Sequence, residues 1–201
     1  MIFSHQFRAA KVMKTNLVRF AHDFARERLK TRNGFFAVDA TAGNGHDTLF
    51  LAQLAGENGR VAAFDIQPDA IEATRERLKK NNALANVDLF LCGHEDMAKH
   101  LPENWRGNVS AVFFNLGYLP RSTRQIKTHA ETTLPALNCA WNLLAPGGFI
   151  SLAVYTRHEG GFDESARVSE WLEHLRSRAE IFSLGTHNPV EPWWAGIVKK
   201  A

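Results

Sequence analysis

The stretch VDATAGNGHDTLFLA, Val38 to Ala52, begins as an apolar strand and ends as an apolar helix, with a turn of Gly43, Asn44, Gly45, His46 and Asp47 between them. Its reading decides the fold, because the same change of period recurs on both sides. Phe35 to Thr41 is a short apolar run, His46 to Leu54 a helix, Arg60 to Ile66 a run, and Pro68 to Asn82 a helix with proline in its permitted first turn. Val87 to Cys92, Ala111 to Asn115 and Phe149 to Tyr155 read as further buried strands, with helices near Glu95 to His100, Thr132 to Leu144 and Asp163 to Arg178. Continuous apolar runs that alternate with helices imply a parallel sheet covered on both faces. The last two runs, Glu180 to Leu184 and Ala195 to Val198, are joined by a loop too short for a helix, which predicts an antiparallel hairpin. The expected fold is therefore α/β, a doubly wound seven-stranded sheet with a reversed final strand.

At 201 residues and 45% hydrophobic, the chain is long enough for one sizeable core, and one α/β domain over residues 1–201 is expected. Two distant cysteines, Cys92 and Cys139, suggest neither a disulfide framework nor a thiolate metal site, and the nine histidines never pair at ligand spacing, so no metal is expected. No apolar run approaches the roughly 20 residues that cross a bilayer, so the expectation is a soluble, cytoplasmic protein without a membrane partner. The start is acid-free until Asp23, faintly like an organelle transit peptide, yet it is poor in serine and runs into a structural helix. Met13, Leu17, Phe20 and Phe24 place an amphipathic helix from about Ala9 to Lys30. Residues 1–32 carry eight basic against two acidic side chains, a basic segment that either meets an anionic partner such as RNA or is simply a solvated face.

In an open α/β sheet, ligands sit beyond the carboxyl ends of the strands, beside the first one. Asp39 to Asp47 occupies that place, and Gly43 and Gly45 let the backbone turn sharply and approach a ligand. A dinucleotide fingerprint would have a small residue where Thr48 stands, and Asp47 puts an anion in the first helical turn, where it partly cancels the attraction for a pyrophosphate. S-adenosyl-L-methionine carries an ammonium, a carboxylate and a sulfonium and no phosphate. Asp39, Asn44, His46 and Asp47 suit that cofactor better than NAD. Asp65 lies 20 residues after Gly45, the usual separation to an acid that accepts from ribose hydroxyls, and Gln67 follows to border the adenine. In LCGHEDM, Leu91 to Met97, the polar His94, Glu95 and Asp96 fall on the same edge, as adenine-end ligands or as a simple helix cap.

The fourth strand ends in FFNLGYLP, Phe113 to Pro120. At the exit of this strand Asn115 can accept from an amine and Tyr118 can stack on a flat base, or the two merely cap and pack a strand end. The arrangement resembles the Asn-Pro-Pro-Tyr signature of enzymes that methylate exocyclic nucleobase amines, with Leu116 and Gly117 in place of the prolines.

Together, DATAGNGHDTLFLA, AFDIQ, FNLGYLP and VYTRHEGG resemble a bacterial family labelled rRNA methylases, members of which are identified as tRNA 5-(aminomethyl)-2-thiouridine methyltransferases. The resemblance runs from about Val38 to the C-terminus. It implies a Rossmann-like class I methyltransferase fold, commonly dimeric, and methyl transfer from S-adenosylmethionine to the aminomethyl nitrogen of a modified wobble uridine in the tRNA anticodon arm. Carried over, the cofactor positions are Asn44, His46, Asp65, Gln67 and His94. Two loops depart from the family pattern: Arg121, Ser122, Thr123 and Arg124 replace a glycine-glycine-aspartate-lysine turn, and Tyr155, Thr156, Arg157, His158 replace Tyr-His-Gly-His. Those loops fall where substrate should bind. In this reading Asn115 orients the amine, Tyr118 bounds the uracil ring, and His158 is either a proton acceptor or a surface histidine. Competing readings are a methyltransferase for ribosomal RNA or a small amine, a noncatalytic RNA-binding module, and an NAD-dependent oxidoreductase.

Overall fold

The computed structural model describes residues 17–117, 127–185 and 191–201. Residues 17–29 form α1, whose buried stripe is Leu17, Ala21, Ala25 and Leu29. The expected stripe differs: Phe20 is 41% exposed, Phe24 is only half-buried, and Met13 lies outside the described residues. The two alanines explain this, since their small side chains let the helix backbone approach the sheet while the larger rings lean edge-on against Trp194, at 5.0 and 5.1 Å between centroids. Gly196 makes room for that seat, because a Cβ there would stand 2.9 Å from the Phe24 ring and 2.5 Å from Trp194.

The elements that follow are β1 (Phe36–Asp39), α2 (His46–Ala55), β2 (Arg60–Asp65), α3 (Pro68–Lys80), β3 (Val87–Leu91), the single turn α4 (Met97–His100), β4 (Val109–Leu116), α5 (Ala130–Leu143), β5 (Leu144–Val154), α6 (Gly161–Leu175), β6 (Ala179–Leu184) and β7 (Trp193–Lys199). The seven strands lie in the order β3-β2-β1-β4-β5-β7-β6. All neighbours are parallel except β7, which runs antiparallel to both β5 and β6, as the hairpin expectation requires. Two boundaries differ from the sequence reading. The segment expected as a helix from Glu95 is a 3-10 turn, His94–Asp96, followed by one α-turn. Strand β5 begins at Leu144, directly after α5, and takes in Ala145-Pro-Gly-Gly, which reads as a turn; Gly147 at φ 73 and a register irregularity opposite Val109 and Ala111 absorb it.

Alternate residues of each strand feed two cores. Ala37, Val61, Ala63, Ala111, Phe113 and Phe149 pack under α1, α2 and α3, while Val38, Ala62, Phe64, Val112, Phe114 and Ile150 pack under α5 and α6. Each fully buried phenylalanine contributes about 1.5–3 kcal/mol of transfer free energy, so burial on both faces fixes strand register. Among the described residues no helix is long and apolar enough to cross a membrane.

Candidate active site at the carboxyl edge of the sheet

Strand order reverses between β1 and β4, and their carboxyl ends are neighbours: Asp39 is in register with Phe113, and the Ala40 amide donates to the Phe113 carbonyl at 2.9 Å. The turn after β1 is built around two carboxylates. Asp39 is fully buried; it accepts from the Thr48 hydroxyl at 2.6 Å and from the Thr41 amide at 3.1 Å. Burial, reinforced by the charge of Asp47, pushes its pKa up to about 7, against the opposing pull of those hydrogen bonds. Asp65 accepts from the Gly43 amide and from the Gln67 amide, each at 2.9 Å, and burial raises its pKa while the amides counteract that rise. The acid at the end of β2 therefore also straps the glycine turn. Gly45 closes the turn at φ 73, and a Cβ on it would stand 2.8 Å from Thr74 Cα, so no other residue fits without movement.

Apolar side chains flank Asp65 at the rim. Ile66 is 52% and Leu91 56% exposed, at the carboxyl ends of neighbouring strands where Asp65 is in register with Leu91. Half-buried Gln67 stands beside them at the start of α3. His94 is buried, hydrogen-bonded to the backbone of Ala40 and edge-on to Phe114 at 5.8 Å; burial lowers its pKa against the opposing pull of Glu95 and the Ala40 backbone. The Glu95 carboxylate folds over Gly93, where a Cβ would meet it at 2.4 Å. Asn44 and His46 are exposed and share a partner in Arg77 of α3, whose Nε donates to the Asn44 carbonyl at 2.6 Å and whose Nη2 lies 3.1 Å from His46 Nε2. Burial, then the Arg77 charge, lowers the His46 pKa.

Asp47 is the hub between the two halves of this edge. One of its oxygens lies 2.6 Å from His22 Nε2 of α1, and the other accepts from Asn115 Nδ2 at 2.7 Å. The Asn115 amide donates to the Thr41 hydroxyl at 2.8 Å, and the His22 ring stacks on Phe50 with centroids 3.8 Å apart. Tyr155, just past β5, completes the wall; burial and then the Asp47 charge push its phenol up to about 12, so it stays protonated. Sequence reasoning placed Asp47 against a cationic cofactor and missed His22, Thr41 and Tyr155. The available signal for His22 was a polar ring directly after Ala21 on the helix face that packs inward.

Beyond β4 the chain is pinned at its return. Gly117 donates its amide to the Thr128 hydroxyl and receives the Thr128 amide, both at 2.9 Å. That hydroxyl donates in turn to buried Glu164 of α6 at 2.8 Å, and Thr133 of α5 donates to the other Glu164 oxygen at 2.6 Å. Tyr118, Arg121 and Arg124 lie outside the described residues, as do Arg8, Lys11 and Lys14. His158 is held in the turn before α6, with Nδ1 3.0 Å from the Glu159 carbonyl oxygen and its ring against Gly161. The described bases of the N-terminal segment are largely matched: Arg19 and Arg26 flank Asp23, Lys30 pairs with Glu27, and Arg28 lies 3.6 Å from Glu180. Lys127 pairs with Glu159 at 3.2 Å.

Comparison with known proteins gives the family. The family described as "Putative rRNA methylase" matches residues 61–191. A relative named tRNA (mnm(5)s(2)U34)-methyltransferase, chloroplastic, from Arabidopsis thaliana is 41% identical, the match covering 70% of this chain and 57% of the plant protein. The chain thus spans a little over half the length of that relative. Among solved structures, a "putative rRNA-methylase" from Clostridium thermocellum is 38% identical with a TM-score of 0.82, covering 90% of this chain and 96% of its own. A "putative methyltransferase" from Streptococcus mutans, solved in complex with SAH, is 32% identical with a TM-score of 0.75, covering 90% and 97%. The topology, the glycine turn strapped by Asp65 and these likenesses converge: the chain belongs to the putative rRNA methylase family of class I S-adenosylmethionine-dependent methyltransferases.

Proposed function

We propose that this protein methylates RNA, transferring the methyl group of S-adenosylmethionine to the aminomethyl nitrogen of a modified wobble uridine in tRNA. The observation that carries the reading is Asn115, held by Asp47 at the exit of β4 immediately beside the acidic cofactor turn. The activity that the 41% identical plant relative is named for supports the same acceptor.

The residues fit the cofactor. Gly43 and Gly45 remove side chains from the turn, and Asp65 offers carboxylate lone pairs at the end of β2. Exposed Ile66 and Leu91 suit the faces of a flat base, and the carboxylates of Asp47 and Asp65 make the edge hospitable to positive groups and unfavourable to a pyrophosphate. Bound there, the cofactor supplies a methyl carbon already activated by a cationic sulfur. The protein's part is then chiefly positioning, with a nitrogen lone pair held about 3–3.5 Å from the carbon. Asn115 Oδ1 accepts an N–H of the amine and aims that lone pair. The acceptor amine must be neutral, and a shielded pocket favours its neutral form. Tyr155, a phenol throughout the physiological range, walls the same space and can donate to the base. Tyr118 at the same exit is proposed to bound the uracil ring. A wobble base lies in a single-stranded loop, so turning it into a pocket costs less than opening a duplex.

The test is mass spectrometry of nucleosides after incubation with S-adenosylmethionine and tRNA bearing 5-aminomethyl-2-thiouridine. Appearance of the methylaminomethyl nucleoside supports the reading. Methylation of ribosomal RNA in a parallel incubation, with this tRNA left unmethylated, would move the acceptor to rRNA.

A further inference from the structure

We propose that His22, delivered by the N-terminal helix α1, is a positioning residue of the methyl-transfer site: through Asp47 it fixes which end of the Asn115 side-chain amide meets the acceptor. The inference rests on the proposed function in one respect, that the acceptor is an amine.

The two ends of an asparagine amide have almost the same shape and opposite hydrogen-bonding character. A carboxylate only accepts, so the contact of 2.7 Å between Asp47 and Asn115 selects Nδ2 and sends Oδ1 to the other side. The sense of that choice matters for an amine nucleophile. Oδ1 takes an N–H and leaves the lone pair pointing at the methyl carbon, whereas Nδ2 in its place would donate to the lone pair and block attack.

Asp47 can hold Asn115 only if its own carboxylate is held. It projects from the first turn of α2, where rotation about its terminal bond would swap or withdraw its oxygens. His22 Nε2, 2.6 Å from Oδ1, removes that freedom, and the His22 ring is fixed by flat stacking on Phe50 at an interplanar angle of 3°. The side chains of His22 and Asp47 are 18% and 11% exposed, so water competes poorly for these bonds. A simple pin between α1 and α2 would have the same contacts but different consequences, because a pin acts on stability and a positioning residue acts through Asn115.

The experiment uses the full chain, S-adenosylmethionine and tRNA carrying 5-aminomethyl-2-thiouridine. His22→Phe keeps the stacking surface and removes the N–H; kcat is expected to fall about 10- to 100-fold, with KM for S-adenosylmethionine within about threefold. His22→Gln restores a donor at similar reach and recovers kcat to within about fivefold of the wild type. Asp47→Asn, which allows either end of its amide to face Asn115, loses as much as His22→Phe. In an Asn115→Ala background, His22→Phe changes kcat by less than about twofold, since the residue it acts through is gone. An unchanged kcat in His22→Phe or Asp47→Asn, or the same fold loss in both backgrounds, overturns the inference. If the wild type leaves this tRNA unmethylated, the functional reading fails, and the inference is still read by NMR of the S-adenosylhomocysteine-bound protein. The Asn115 side-chain amide proton pair, identified by its loss in Asn115→Ala, should shift in His22→Phe and hold in His22→Gln; a pair that does not move in His22→Phe overturns the inference without any turnover.

Discussion

The two halves of the sheet's carboxyl edge are held by different kinds of bond. On the β1–β2 side, the Asp65 carboxylate accepts from the backbone amides of Gly43 and Gln67, and the Gly43 carbonyl accepts from the Thr74 hydroxyl, so side chains grip the main chain of the turn directly. On the β4–β5 side, Asn115, Asp47 and His22 hold one another by side chains, and Thr128, Thr133 and Glu164 do the same below the exit of β4. Bonds to the main chain enforce one backbone shape on the turn. Bonds between side chains are open to revision by substitution, which suits the half where the acceptor is proposed to lie.

The comparison breaks first at Asn115. Asn115→Ala should lower kcat about 100- to 1,000-fold while calorimetric affinity for S-adenosylhomocysteine stays within about threefold, the separation expected if this half performs positioning alone. A comparable loss of cofactor affinity would merge the two halves into one site. Gly45→Ala attacks the other half through its backbone: a side chain at φ 73 and 2.8 Å from Thr74 Cα should cost about 2–4 kcal/mol in denaturant unfolding. Asp65→Ala removes the grip itself and a charge-assisted acceptor, and cofactor affinity should fall about 10- to 100-fold, with kcat at saturation retained. Retained affinity would mean that the glycine turn holds its shape without the strap.

Smaller effects sharpen the contrast. Glu164→Ala leaves the Thr128 and Thr133 hydroxyls without their acceptor and should lower stability by about 1–2 kcal/mol, whereas Glu164→Gln keeps one acceptor and loses less. The smallest effect is one of pH. Asp39 has a folded pKa of about 7 against an ordinary 3.8, so the folded state holds this proton more tightly than the unfolded chain. Its contribution favours the fold below about pH 4 and is lost as pH rises towards 7. Wild-type melting temperature should therefore fall relative to Asp39→Asn between those values, and parallel profiles would place the proton elsewhere.

The half gripped through its main chain was legible in the sequence because its glycines and its acid stand at a separation, 22 residues from Gly43 to Asp65, that recurs in βαβ units. Two glycines, a strand-ending acid and their spacing announce a turn and its strap, and alternating periods announce the sheet. The side-chain half was not, because no recurrent spacing links its partners: His22 to Asp47 across 25 residues and Asn115 to Asp47 across 68. Asp47 shows the limit well. Its oddity in a helix's first turn was visible, and charge alone suggested a cationic ligand, but its two protein partners come from α1 and β4, which no spacing rule links. Phe20 erred for a related reason, since helical periodicity finds the apolar face and cannot say that Ala21 and Ala25, the smaller residues, lie closest to the sheet.

The paired contacts between Gly117 and Thr128 carry a consequence for how such enzymes diversify. They join two positions 11 apart in sequence at a neck and tether that neck to a carboxylate on a different helix, so the exit of β4 is anchored to α6 as well as to the sheet. If the acceptor lies at the exit of β4 as proposed, exchanging the residues between those two positions for a relative's is expected to change which nucleotide is methylated and to leave affinity for S-adenosylhomocysteine within about threefold.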